Sequence, residues 1–86
     1  MAQDVVVSVL GAGSYGTALA ISLARKGLRV LMWGHEQPHV AALQAERCNS
    51  QFLPDVPFPD TLEVTSDLAY AVRSTRTLLE IGRAHV

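Results

Sequence analysis

The chain has 86 residues, of which 49% are hydrophobic and 17% are charged, and its formal net charge is −1. This is the composition of a globular protein, and the lack of a basic excess argues against nucleic-acid binding. No apolar run approaches the ~18 residues that span a bilayer, and residues 1–4 lack the basic start of a secretory signal. The single cysteine, Cys48, excludes an internal disulfide, which fits a cytoplasmic location.

The pattern of apolar residues, glycines and prolines predicts four strands that alternate with three helices. In chain order the predicted elements are a strand at 5–10, a helix at 17–26, a strand at 29–33, a helix at 38–47, a strand at 62–65, a helix at 68–72 and a strand that starts at 77–79. Residues 49–60 are predicted to form a loop that packs on the domain through its apolar side chains. The order predicts the α/β class with a doubly wound parallel sheet.

Residues at the predicted helix ends favour these boundaries. Ser14 is expected to cap the first helix, and Ser66 with Asp67 to cap the third. Lys26 and Gly27 are typical of a helix C-terminus, because a cation suits the last turn and glycine suits the position after it. Lys26, the only lysine of the chain, is therefore interpreted as part of a solvated helix end.

The junction between the first strand and the first helix carries the motif Gly-x-Gly-x-x-Gly at Gly11, Gly13 and Gly16. In a strand–turn–helix–strand segment of about 30 residues, this motif is typical of a site for the pyrophosphate of a dinucleotide. Gly11 would permit the tight turn, Gly13 the approach of the diphosphate, and Gly16 the close packing of helix and strand. Ser14 is expected to hydrogen-bond phosphate and Tyr15 to lie over the cofactor. An unrelated packing turn is the alternative, and it explains Gly13 poorly.

The end of the second strand bears on the choice between NAD and NADP. An acidic residue there usually binds the ribose 2′-hydroxyl of NAD. Here Trp33 is followed by Gly34 and His35, which leave room for a 2′-phosphate that a protonated His35 would pair with. We therefore predict use of NADP or tolerance of both cofactors. A solvated loop histidine at His35 and an ordinary helix-start acid at Glu36 are the alternatives.

Several segments resemble the start of bacterial NAD(P)-dependent glycerol-3-phosphate dehydrogenases. They are residues 11–20, 33–35, 47–49, 52–59 and 66–68. The proline-rich segment 52–59 is the specific part, because generic dinucleotide-binding folds do not carry it. The resemblance covers about residues 5–79 and implies a Rossmann-type fold, truncated to the first half of the dinucleotide-binding domain.

The resemblance also implies a function. The family interconverts dihydroxyacetone phosphate and sn-glycerol 3-phosphate, a precursor of glycerophospholipids, with NAD or NADP. The resemblance assigns Ser14, Tyr15 and His35 to the cofactor. We predict that Gly11, Gly13, Gly16 and Trp33 complete the cofactor site. The catalytic lysine and the substrate domain lie beyond this chain, so we assign no catalytic residue and no metal ligand here and expect the isolated chain to be inactive.

For the full-length enzyme, the implied partners are the small-molecule substrate and a second copy in a homodimer, in the cytoplasm. Two alternatives remain open at the level of the sequence. One is a non-catalytic module that binds NAD(P)H. The other is a different Rossmann dehydrogenase that acts on another hydroxy acid or phosphate.

The end of the chain departs from the family pattern. Where the family continues its fourth strand with valines and then Pro-Ser, residues 80–86 read Glu-Ile-Gly-Arg-Ala-His-Val. Residues 81–86 followed by a stop resemble one reading frame of a common short-read sequencing adapter. We therefore predict a partial NAD(P)-binding domain at 1–79 and a non-native read-through tail at 80–86, with a divergent native tail as the alternative.

Overall fold

A computed structural model of the chain describes residues 5–80 and the side chains of residues 7–79. Its strands are β1 (Val5–Leu10), β2 (Val30–Trp33), β3 (Cys48–Asn49), β4 (Leu53–Pro57), β5 (Leu62–Thr65) and β6 (Thr75–Glu80), and its helices are α1 (Ser14–Arg25), α2 (Gln37–Glu46) and α3 (Leu68–Arg73). Of the tail predicted at 80–86, only Glu80 belongs to the described residues; residues 81–86 lie outside them.

Four strands form a parallel sheet in the order β5-β2-β1-β6. In β2, Val30 and Met32 pack in the core beneath α1 and α2, whereas Leu31 packs with Ala71 of α3 on the opposite face. This alternation follows from the strand geometry, in which successive side chains point to opposite faces. All three are at most 1% exposed, as expected for a strand covered on both faces. The predicted doubly wound parallel sheet is therefore confirmed.

The prediction of a plain loop at 49–60 was wrong, because this segment forms most of a small antiparallel sheet. Asn49 pairs with Leu53 and Cys48 with Pro57, and the register shifts between the two pairs. The prolines concealed this hairpin, since proline cannot donate to a ladder and is tolerated only at edges and bulges. The predicted packing on the domain is confirmed for Phe58, which is 6% exposed.

Arg47 closes the base of this hairpin. Its Nη2 donates to the carbonyl oxygens of Pro59 at 2.9 Å and Leu62 at 2.8 Å. Its guanidinium carbon lies 5.6 Å from the centre of the Phe58 ring, and its own carbonyl accepts from the Phe58 N–H at 2.7 Å. These contacts fix where the hairpin lies relative to the start of β5.

The helix ends agree with the predictions except at Ser14. The N-cap residue of α1 is Gly13, and no side chain caps this helix. The prediction that Ser14 caps α1 was therefore wrong. Ser14 is already helical, so α1 starts three residues before the predicted start. Asp67 caps α3 by accepting from the Tyr70 N–H at 3.0 Å. Gly27 has a φ of +93° just past α1, as the predicted helix end requires. Other boundaries differ from prediction by one or two residues.

Candidate functional site

The glycine turn lies at the carboxyl end of β1, next to the centre of the sheet. Gly11 has a φ of +144°, which favours glycine, and its N–H donates to the Trp33 carbonyl at 2.8 Å. A Cβ on Gly16 would lie 2.5 Å from the carbonyl oxygen of Gly11. The close approach predicted for Gly16 is thus to the turn itself, and glycine is required there by contact with backbone.

Gly13 differs from the other two glycines of the motif. Its φ is −77°, which any residue adopts, and a Cβ built on it would meet nothing within 4 Å. Neither conformation nor packing within the described residues requires glycine at this position. The open space beside its backbone leaves room for a ligand to approach closely.

The first turn of α1 presents unpaired donors beside Gly13. The first intrahelical bond runs from the Thr17 N–H to the Gly13 carbonyl, so the N–H groups of Ser14, Tyr15 and Gly16 precede it. No acidic side chain lies in this turn and no side chain caps it. The free N–H groups and the positive end of the helix dipole make this turn suited to an anion.

A cleft of about 280 Å³ runs from this turn to the end of β2. Its walls include Gly11, Gly13, Trp33, His35, His39 and Phe52. Four of the predicted cofactor residues are therefore brought together in one cleft. The other three are part of the helix start: Ser14 and Tyr15 are exposed, and Gly16 is buried behind the turn.

A larger groove of about 410 Å³ lies between α1 and β4. Its lining is mostly aliphatic, with the exposed ends of Arg25 and Lys26 at one side. Its lining residues come from positions 18–26 and from β4, and they do not include the first turn of α1. The smaller cleft, which joins a helix N-terminus to the ends of two strands, is therefore the candidate site.

The residues after β2 form the far wall of the cleft. Trp33 is half-buried, and its indole Nε1–H donates to the Ser66 carbonyl at 3.0 Å, so its polar atom is already used within the fold. The Trp33 and His35 rings are 6.2 Å apart at an angle of 40°. His35 is exposed, as is Glu36, which is the N-cap residue of α2 and makes no side-chain cap bond. An imidazole and a carboxylate thus stand side by side where the adenosine ribose is expected.

Two polar residues near the turn were missed by the sequence predictions. Thr17 and Asn49 are both fully buried. The Asn49 Nδ2 donates to the Ala12 carbonyl at 3.0 Å and to the Thr17 Oγ1 at 2.8 Å, and the Thr17 hydroxyl is 3.3 Å from the same carbonyl. No local pattern reveals this network, because Asn49 lies 37 and 32 residues from its two partners.

His39 was also missed. Its ring makes an edge-on contact with Phe52, with centroids 5.7 Å apart at an angle of 83°. Its Nε2 is buried and, among the described residues, has no hydrogen-bond partner. A proline-rich hairpin and the start of α2 therefore bring an aromatic pair to the edge of the cleft.

Among residues 5–80, no group of three or more histidine, cysteine, aspartate or glutamate side chains is placed to hold a metal ion. No helix of this part of the chain is long and apolar enough to cross a membrane. Among residues 5–80, a shifted pKa lies away from the cleft, at Tyr70. The pKa of Tyr70 is raised above its usual value by burial and by the carboxylate of Glu63.

In this parallel sheet, a central strand is followed by a glycine turn and then by a helix. This arrangement defines a Rossmann-type dinucleotide-binding domain. The chain belongs to the family described as NAD-dependent glycerol-3-phosphate dehydrogenase N-terminus, which matches residues 6–83. This agrees with the family resemblance predicted from residues 11–20, 33–35 and the proline-rich segment. It also favours a dehydrogenase over a non-catalytic module or another Rossmann enzyme.

Relatives and solved structures support the same assignment. The chain is 64% identical over 86 residues to glycerol-3-phosphate dehydrogenase, NAD(P)+, of Tolumonas auensis, covering 100% of this chain and 26% of that protein. Identity to the protein of the same name in Cronobacter sakazakii is 60%, covering 93% and 24%. The crystal structure of glycerol-3-phosphate dehydrogenase from Coxiella burnetii matches with a TM-score of 0.85 and 44% identity, covering 90% and 24%. The chain thus spans about a quarter of the length of these proteins.

Proposed function

We propose that this chain binds the adenosine and pyrophosphate of NAD(P) within an enzyme that interconverts sn-glycerol 3-phosphate and dihydroxyacetone phosphate. The observation that carries the proposal is the open backbone at Gly13 beside the free N–H groups of α1. The names of the relatives supply the substrate pair. The nicotinamide supplies the hydride when the cofactor is bound, and the chain holds and orients the other end of it.

Each residue of the site has a distinct part in this proposal. Gly11 and Gly16 shape the turn, and Gly13 admits the pyrophosphate to the backbone. Ser14 and Tyr15 offer their N–H groups to it at the start of α1. Trp33 and His35 form the wall against which the adenosine would lie, and the indole Nε1–H of Trp33 is already bonded within the fold.

The same proposal includes what the whole enzyme would need. Dihydroxyacetone phosphate is its substrate, two copies form the enzyme, and it works in the cytoplasm. The single cysteine supports the reducing compartment. The substrate-binding and catalytic residues are proposed to lie in the part of the enzyme that this chain does not span.

An exchange enzyme tests the function directly. Residues 1–79 of this chain replace the matching residues of the Tolumonas auensis enzyme, and the loss of NADPH absorbance is followed with dihydroxyacetone phosphate. We expect turnover within about tenfold of the parent enzyme, because the two segments share 64% of their residues across the alignment. An exchange enzyme that folds but oxidises no NADPH with this substrate would contradict the proposal. The parent enzyme with its own segment is the control.

His35 is expected to favour the 2′-phosphate of NADP. Because the ring is exposed beside the cleft, a His35→Ala substitution should weaken NADP⁺ binding by about tenfold and NAD⁺ binding by less than about twofold. Isothermal titration of both cofactors measures the two affinities. Lys26→Ala is the control, since it removes an exposed cation at the C-terminal end of α1, outside the cleft, and should leave both affinities unchanged. If His35→Ala left NADP⁺ affinity unchanged, the assignment of His35 would fail.

A further inference from the structure

The side chain of Asn49 connects the hairpin to the glycine turn and to α1 through its amide nitrogen, and its amide oxygen is bonded within the hairpin. Its Nδ2 donates to the Ala12 carbonyl at 3.0 Å and to the Thr17 Oγ1 at 2.8 Å, and its Oδ1 accepts from the Phe52 N–H at 3.3 Å. The residue is 0% exposed. A rotation of the amide by half a turn would set its oxygen against the Ala12 oxygen, so the observed orientation is the only one that satisfies all three partners.

The Ala12 carbonyl is held from two sides. It accepts from the Asn49 Nδ2 and from the Thr17 hydroxyl, whose oxygen is 3.3 Å away and in turn accepts from Asn49. Both donors belong to fully buried residues. The carbonyl oxygen of the turn therefore points into the protein, towards the junction of α1 and the hairpin.

This orientation determines where the next N–H points. The Ala12 carbonyl and the Gly13 N–H belong to one planar trans peptide, in which C=O and N–H point in opposite directions. Because the oxygen is held inward, the Gly13 N–H is directed outward. Gly13 is exposed and a Cβ on it would meet nothing within 4 Å, so the surroundings of this residue leave room for a ligand.

A buried amide is costly unless it is bonded, and an apolar side chain would fill the same space without that requirement. At Asn49 both donor hydrogens go to groups of the turn and of α1, and neither goes to the hairpin. The amide nitrogen therefore acts on the geometry of the turn, whereas the amide oxygen bonds within the hairpin.

We propose that Asn49 is a positioning residue for the pyrophosphate of the cofactor: by holding the Ala12 carbonyl inward, it aims the Gly13 N–H at the anion. The inference rests on the proposed function and deepens it. It gives the proline-rich hairpin a role in cofactor binding, since β3 carries Asn49 and Arg47 fixes β3 in place.

The test compares ligands that share an adenosine 2′-phosphate and differ in the pyrophosphate. The probes are 2′-phospho-ADP-ribose, which carries a pyrophosphate, and adenosine 2′-phosphate, which does not. We expect Asn49→Leu to weaken the binding of 2′-phospho-ADP-ribose about tenfold or more and that of adenosine 2′-phosphate by less than about twofold. Only the first ligand carries the pyrophosphate that reaches the Ala12–Gly13 peptide, which the substitution leaves unrestrained. Leucine is chosen because an aspartate would add a charge near the anion. The experiment uses the full 86-residue chain.

Two further variants separate positioning from stability. Thr17→Ser keeps the hydroxyl that bonds Ala12 and should retain the affinity for both probes. Val64→Ala removes packing from a residue that is 3% exposed, outside the network. It should lower the midpoint of thermal unfolding without changing the ratio of the two affinities.

The exchange enzyme supplies a second measurement of the same effect. Asn49→Leu should raise the KM for NADPH about tenfold, while the KM for dihydroxyacetone phosphate and kcat change less than about threefold. The inference is overturned if Asn49→Leu weakens both probes equally, if it changes neither, or if it prevents folding of chain and exchange enzyme while Val64→Ala does not. Failure of the unsubstituted chain and exchange enzyme to bind NADP⁺ or NAD⁺ would instead reject the proposed function.

Discussion

Gly16→Ala should destabilise the domain by about 3 kcal/mol, because there is no free space for the added methyl group. It would stand 2.5 Å from the carbonyl oxygen and 3.1 Å from the carbonyl carbon of Gly11, and both atoms are backbone. No rotamer relieves such a contact, so α1 must move away from the turn or the turn must open. In a chain of this size, 3 kcal/mol corresponds to a fall of about 12 °C or more in the midpoint of thermal unfolding.

Circular dichroism during heating, in the exchange enzyme and in the chain itself, measures this effect. The matched control is Ala18→Ser, a small change on the exposed side of α1 two residues further on. It should shift the midpoint by less than about 2 °C, since surface changes usually stay within ~0.5 kcal/mol. Equal unfolding midpoints for Gly16→Ala and the unsubstituted protein would show that the close approach does not exist in solution.

Gly13→Val should leave the stability of the fold nearly unchanged and strongly weaken cofactor binding, in contrast to Gly16→Ala, which should lower stability. Its φ of −77° suits any residue and the space around its Cβ position is empty, so we expect a stability change within about 1 kcal/mol. A branched side chain on that backbone would occupy the approach to the outward N–H groups. The NADPH affinity of Gly13→Val should therefore fall about a hundredfold or more. The affinity of Gly13→Ala should lie between those of Gly13→Val and the unsubstituted protein.

Fluorescence titration of NADPH, with unfolding midpoints measured on the same samples, tests this second expectation. Ser22→Ala, on an exposed position of α1 far from the turn, is the control and should bind as the unsubstituted protein does. Undiminished NADPH binding by Gly13→Val would mean that the pyrophosphate does not approach through the open space. A large loss of stability would mean that the space is not open.

Much of the architecture could be predicted because its signals are local. The continuous apolar run of β2 marks a strand buried on both faces, and Gly11 and Gly27 stand where the chain requires a positive φ. The glycine turn was predicted for the same reason, since strand, turn and helix follow one another along the chain. The helix cap at Asp67 was predicted correctly because a cap bonds a residue only three positions further along the chain.

What could not be predicted depends on contacts between distant segments. The hairpin at β3 and β4 is fixed by Arg47 bonds to carbonyls 12 and 15 residues away, and Asn49 reaches still further back. Ser14 was expected to cap α1 because serine favours that position, yet the helix starts one residue earlier than such a cap allows. For Trp33, nothing in the sequence indicates that the indole N–H is bonded to Ser66.

The Asn49 network also has a consequence for the order in which the molecule folds. Residues 5–16 leave the ribosome before Asn49, so the Ala12 carbonyl gains its buried amide partner only after 37 further residues have been made. Closing so long a loop costs conformational entropy and slows the step that requires it. The anion site should therefore be completed only after Asn49 has been synthesised, later than the strand and helix that contribute most of it.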